Sequence, residues 1–198
     1  MNSDDLSLYL LDSEEPWPEP PKDSKKPQFY LSSIQDIRFL VLNVTHKCNL
    51  ACTYCFASKY DDLPIMEPAV AIEAVDRLLS PTRPIVVSFF GGEPLVAWDT
   101  IVATVQHCNV LSRARKQKHT YHITTNATLL DEDRIKFIAA NGISLLVSLD
   151  GPKDIHDESR LMKSGKGSFE EVMRALRLLK DLGWSKETAQ FLNGSHRI

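Results

Sequence analysis

Arg38-Phe-Leu-Val-Leu-Asn-Val-Thr45 runs straight into His46-Lys-Cys48-Asn-Leu-Ala-Cys52-Thr-Tyr-Cys55. The first stretch is a nearly continuous apolar run, the pattern of a strand buried in a parallel sheet. The second puts three thiols on one short loop at the strand's carboxyl end, where parallel α/β folds bind their ligands. Thiolates are the usual ligands of iron–sulfur clusters, which take four, so three on a four-iron cube leave one iron open for chemistry on a bound molecule. The same loop read as Cys48, Cys52 and Cys55 with His46 could instead make a Cys₃His zinc site, and Cys52-x-x-Cys55 by itself does not separate the two.

Working outward, the chain alternates strand and helix. Strands are predicted over 38–45, 84–90, 119–125 and 143–149, and helices over 66–80, 100–116, 131–140 and 168–182. Pro68 suits a first helical turn, Asn141-Gly142 closes the third helix, and Ser168 with Glu171 reads as a capping box opening the fourth. Four strand–helix units in series imply an α/β fold with a parallel sheet and right-handed crossovers, either open or part of a barrel.

Composition sets the bounds. The 198 residues suit one ordinary domain, and apolar and charged contents of 43% and 25% are those of a globular protein. A net charge of −3 gives no electrostatic case for nucleic acid or an anionic membrane surface. No apolar run approaches a membrane span and 1–11 does not read as a signal peptide, so a reducing, cytoplasmic setting is expected, in which clustered cysteines mean metal or redox chemistry more often than disulfides. Residues 1–35, with Pro16, Pro18, Pro20, Pro21 and Pro27, read as a proline-rich arm or linker, 36–183 as the core, and 184–198 as an irregular tail. No strand pattern follows Gly183, so an uncovered edge on the fourth strand is expected, and with it a chain that is a fragment or altered version of something longer.

Three further motifs end the later strands. Gly91-Gly-Glu-Pro94 combines backbone that can approach a ligand closely with a carboxylate able to accept from an ammonium group. Thr124-Thr-Asn-Ala-Thr128 places polar Asn126 after the third strand, followed by an alanine that is a handicap if the backbone needs a positive φ. Ser148-Leu-Asp-Gly-Pro-Lys-Asp-Ile-His-Asp-Glu-Ser-Arg160 can present a hydroxyl and a carboxylate to a ribose, with Arg160 a planar fork for a carboxylate. Each of the three is also readable as a plain turn.

The Cys-x₃-Cys-x₂-Cys pattern with Tyr54 before the last cysteine strongly resembles the radical SAM superfamily. Gly92 and Glu93 are similar to the family's Gly-Gly-Glu motif, and Asn126 to its Thr-Asn-Gly stretch, with Ala127 departing from the usual glycine. The run from Ser148 to Arg160 closely resembles the Ser-x-Asp-Gly-x-x-x-x-His-Asp-x-x-Arg segment of the peptide- and protein-modifying maturases, among them the anaerobic sulfatase-maturating enzymes. The resemblance implies a partial (β/α)₆ barrel of which about four units are present. It implies a [4Fe–4S] cluster on Cys48, Cys52 and Cys55, with S-adenosylmethionine held by Tyr54, Gly92, Glu93, Asn126, Ser148 and Arg160. It implies reductive cleavage to a 5′-deoxyadenosyl radical, a peptide or protein substrate, and an electron donor such as flavodoxin or ferredoxin. It also implies a cysteine-rich SPASM extension, whose cysteines this chain lacks. An inactive cluster- and cofactor-binding fragment is the second reading, and a structural zinc domain the third.

Other residues carry less. Cys108 lies on an apolar helical stripe with Ile101, Val105 and Leu111 and reads as a core cysteine. His107, His119 and His122 lack metal-site spacing, His156 and Asp157 read as structural, and Trp17 as a packing residue of the arm.

Overall fold

The first strand, β1 (Phe39–Thr45), pairs in parallel with β2 (Val86–Gly91), β2 with β3 (Thr120–Thr125), and β3 with β4 (Ile143–Ser148). The computed structural model describes residues 39–57, 62–78, 84–184 and 189–192, the last four by their backbone. The proline-rich arm with Trp17 and the remainder of the tail lie outside the described residues. Helices α1 (Pro68–Leu78), α2 (Trp98–Arg115), α3 (Glu132–Ala140), α4 (Lys153–Ser159) and α5 (Phe169–Asp181) fill the connections. The strand order is the chain order, so right-handed crossovers put the connecting helices on one face of the sheet, the arrangement of a partial (β/α) barrel.

That one-sidedness explains the core. Leu42, Val44, Val87, Phe89, Ile123, Leu145 and Val147 point to the helical side and meet Ala71, Val75, Ile101, Val105, Ile138, Val172 and Ala175 in one cluster. Each large apolar side chain buried there contributes about 1.5–3 kcal/mol relative to exposure. The continuous apolar run of β1 predicts burial on both faces. Instead Phe39 and Val41 are 56% and 52% exposed, because the described helices cover only the other face. Cys108 is a core residue as expected, fully buried, and burial pushes its thiol up to about 12.

Three sequence expectations change. A fifth strand, β5 (Ala189–Leu192), pairs in parallel with β4, from Leu145 opposite Ala189 to Ser148 opposite Leu192. The irregular tail therefore contains a short strand, and the edge of β4 is paired; the open backbone groups of a strand edge favour such pairing even for a weakly patterned segment. Helix α4 was not expected, since seven mostly polar residues give no clear helical period. Ser168 does not form a capping box: its backbone is already helical (φ −100°, ψ −2°) and its side chain makes no capping bond. Asp157 Oδ1 accepts the Phe169 N–H at 2.8 Å in its place.

Candidate cofactor site

The carboxyl ends of the strands converge on the cysteine loop. Gly92 N donates to Thr45 O at 2.7 Å and Glu93 N to Lys47 O at 2.9 Å, so the end of β2 is bonded along the loop's start. A Cβ on Gly92 would run into the carbonyl oxygens of His46 and Lys47, and one on Gly91 (φ +140°) into that of Thr45. The Gly-Gly pair is thus required first for close approach of the cysteine loop itself. On the other side, Ala51 N donates to Leu161 O and Thr53 N to Ser159 O, while Leu50 bridges Met162. The loop is clamped between the end of β2 and the segment following α4.

Cys48, Cys52 and Cys55 are all half-buried and line one open cleft. Tyr54, Gly92, Asn126, Ser148 and Arg160 line the same cleft. Burial pushes the Cys48 thiol up to about 11 and raises Cys52, the latter against the charge of Arg160. The free protein therefore carries both as thiols near neutrality, and a metal centre would displace their protons.

Glu93 stands apart from the other expected residues. It is fully buried and does not line the cleft. Its Oε1 accepts from Leu95 N at 3.0 Å and Thr125 Oγ1 at 2.8 Å, and its Oε2 from Asn126 N at 2.7 Å. Burial raises its pKa, with these donors opposing the shift. The carboxylate thus ties β2 to β3 beneath the cleft. Asn126 continues the connection upward. Its Nδ2 donates to Asn49 Oδ1 at 3.0 Å and lies 3.7 Å from Cys48 Sγ, while its Oδ1 accepts from Thr128. Ala127 does adopt a positive φ of 64°.

At the far wall, the Tyr54 hydroxyl donates to Asp150 Oδ2. Arg160 Nε lies 2.9 Å from the same oxygen, an ion pair whose N–H is off line for a hydrogen bond. The guanidinium sits 5.6 Å from the centre of the Tyr54 ring, close enough for a cation–π contact. The sequence suggests Asp150 only as a turn residue or a ribose ligand, because its bridge to Tyr54 joins residues 96 apart.

The donor set suits a cluster. Among the described residues no three of His, Cys, Asp and Glu gather tightly enough for a single metal ion. The three cysteines at one cleft are of the ligand type that holds iron–sulfur clusters. Among the described residues, no helix is long and apolar enough to cross a membrane.

Comparison with known proteins agrees with this geometry. The Radical SAM superfamily profile matches residues 42–196. An uncharacterised protein of Methanocaldococcus jannaschii is 35% identical over 148 residues, covering 74% of this chain and 50% of its own length. The cysteine-type anaerobic sulfatase-maturating enzyme of Clostridium perfringens (strain 13 / Type A) is 31% identical over 151 residues, covering 73% and 41%. The solved structure of native anSMEcpe with bound AdoMet and Cp18Cys peptide is 30% identical, superposes with a TM-score of 0.66, and covers 78% of this chain and 42% of that one. This chain thus spans half or less of the length of these relatives.

Proposed function

The chain belongs to the radical SAM superfamily, and on that premise we propose that it binds a [4Fe–4S] cluster and S-adenosylmethionine and generates a 5′-deoxyadenosyl radical to modify a peptide or protein. One observation carries the reading: the three cysteines, Tyr54, Gly92, Asn126, Ser148 and Arg160 line a single cleft. The cluster would supply the electron that cleaves the sulfonium, which is chemistry of the cofactor and not of the protein.

The residues supply binding and orientation. Cys48, Cys52 and Cys55 hold the cluster, and the bonded loop fixes their spacing. Arg160 presents its planar fork to the methionyl carboxylate, Ser148 its hydroxyl to the ribose, and Tyr54 packs beside the ligand. Gly92 offers backbone without a side chain in the way. Glu93 and Asn126 hold the ends of β2 and β3 at the distance the cleft needs, Asn126 also steadying the loop beside Cys48. On this reading the core that carries the site lies within residues 36–183. The peptide or protein substrate is supported by the peptide bound in the related anSMEcpe structure, and an electron donor of the flavodoxin or ferredoxin kind completes the reaction.

The test is anaerobic reconstitution with iron and sulfide, followed by dithionite and S-adenosylmethionine. Labile sulfide, a brown protein and release of 5′-deoxyadenosine are expected. A cluster without 5′-deoxyadenosine would reduce the protein to a cofactor-binding unit. One zinc, no labile sulfide and a colourless protein would overturn the cluster itself.

A further inference from the structure

The segment between β4 and α5 is organised around one buried imidazole. His156, on α4, is fully buried. Its Nδ1 accepts the backbone N–H of Asp150 at 3.3 Å, and its Nε2 lies 3.0 Å from Ser168 Oγ. The Ser168 hydroxyl donates to the Arg160 carbonyl at 2.7 Å, so towards the ring it can only accept. Both contacts are satisfied together by a single species, the neutral ring with its hydrogen on Nε2.

The two backbones fixed by this relay are those of Asp150 and Arg160, the pair that meets at 2.9 Å beside Tyr54. The Arg160 backbone is held at both of its groups: its N–H donates to His156 O at 2.8 Å, and its carbonyl takes Ser168 Oγ and Ser168 N. Ser168 is thereby diverted from the capping role its sequence suggests, and Asp157 caps α5 instead. A helix cap has been moved to another residue, which leaves the serine for the relay. An arginine whose backbone and carboxylate partner are both preset has less freedom to lose when it binds an anion.

We infer that His156 is a positioning residue of the proposed S-adenosylmethionine site: as the Nε2–H tautomer it fixes the Asp150 and Arg160 backbones and so aims the guanidinium at the cleft. The inference rests on the function proposed above, and its test separates the two. In ¹⁵N-histidine-labelled protein, the His156 ring shows the neutral Nε2–H pattern with Nδ1 as acceptor. In reconstituted protein, His156→Leu keeps its iron content but binds S-adenosylmethionine roughly five- to tenfold more weakly, the scale of one lost hydrogen bond. His156→Asn, whose Oδ1 can stand in for Nδ1 towards Asp150, recovers part of that loss. An Nδ1–H or doubly protonated ring, or a His156→Leu protein that binds the cofactor as wild type does, overturns the inference. If His156→Leu does not fold, the ring tautomer in the wild-type protein decides it. If the wild-type protein binds no S-adenosylmethionine, the proposed function fails, while the ring tautomer and the Arg160 Nε resonance of His156→Leu still decide the positioning role.

Discussion

Glu93 Oε2 accepts the backbone N–H of Asn126 at 2.7 Å, joining the ends of β2 and β3 directly beneath the cysteine-lined cleft. The bond is buried, and the other oxygen of the same carboxylate is taken by Leu95 N and Thr125 Oγ1. Glu93→Ala would leave three donors without an acceptor. Each buried group so stranded costs about 1–3 kcal/mol, so a loss of about 3 kcal/mol or more is expected in urea denaturation. Glu93→Gln keeps the shape and one oxygen and should lose less. An unchanged midpoint for Glu93→Ala would remove the carboxylate from the positioning role.

Gly92→Ala tests the packing of the cysteine loop. The added methyl meets the carbonyls of His46 and Lys47, which are backbone and cannot swing aside. Overpacking of this kind costs about 1–3 kcal/mol. The expected outcome is a lowered denaturation midpoint together with reduced iron uptake on reconstitution, measured by iron and sulfide assay. Full iron uptake with a normal midpoint would show that the loop does not need this close approach.

Ala127→Gly should leave the stability nearly unchanged. Ala127 sits at φ 64°, a conformation that strains an L-residue by about 1–2 kcal/mol. Glycine removes that strain but adds unfolded-state entropy of about 0.5–1 kcal/mol, and the buried methyl is lost. With about 0.8 kcal/mol for the buried methyl, the opposing effects nearly cancel, and a change of less than about 1 kcal/mol is expected in the denaturant midpoint. A clear loss would mean that the methyl's packing outweighs the backbone strain.

Stability should fall on mild acidification, in part through His119 and His156. Burial is the main cause lowering both pKa values below 6.5. Above 6.5 the ring is neutral in both folded and unfolded chains, and neither histidine contributes a slope. As the pH falls below 6.5 the unfolded chain takes up protons first, and unfolding gains. Glu93, with its raised pKa, acts in the opposite sense, so the comparison must be made against a histidine variant. His119→Asn keeps an acceptor for Ile85 N, which now donates to His119 Nδ1 at 3.2 Å. Its melting temperature should drop less between pH 7 and pH 5 than that of the wild type, and equal drops would exclude His119 as a source of the acid sensitivity.

The alternation of apolar runs and helical periods, the cysteine spacing and the glycine pair are local properties, and the sequence by itself determined the strand–helix series and the loop that carries the thiols. The strand ends were legible for the same reason, since a strand that stops at Gly91, Thr125 or Ser148 must deliver its next residues to one edge of a parallel sheet. What required the tertiary structure is set by partners far apart in the chain. The carboxylate of Glu93 turned inward because Thr125 and Asn126, 32 and 33 residues later, supply its donors. Tyr54 and Asp150 meet across 96 residues, and Ser168 surrendered its capping role to a relay whose members are contiguous only once α4 has formed. Pairing of Ala189–Leu192 with β4 likewise came from an edge in need of a partner more than from the segment's own pattern. Local patterning settles which elements form, while burial and long-range hydrogen bonding decide which side chain faces the cleft and which one supports it from beneath.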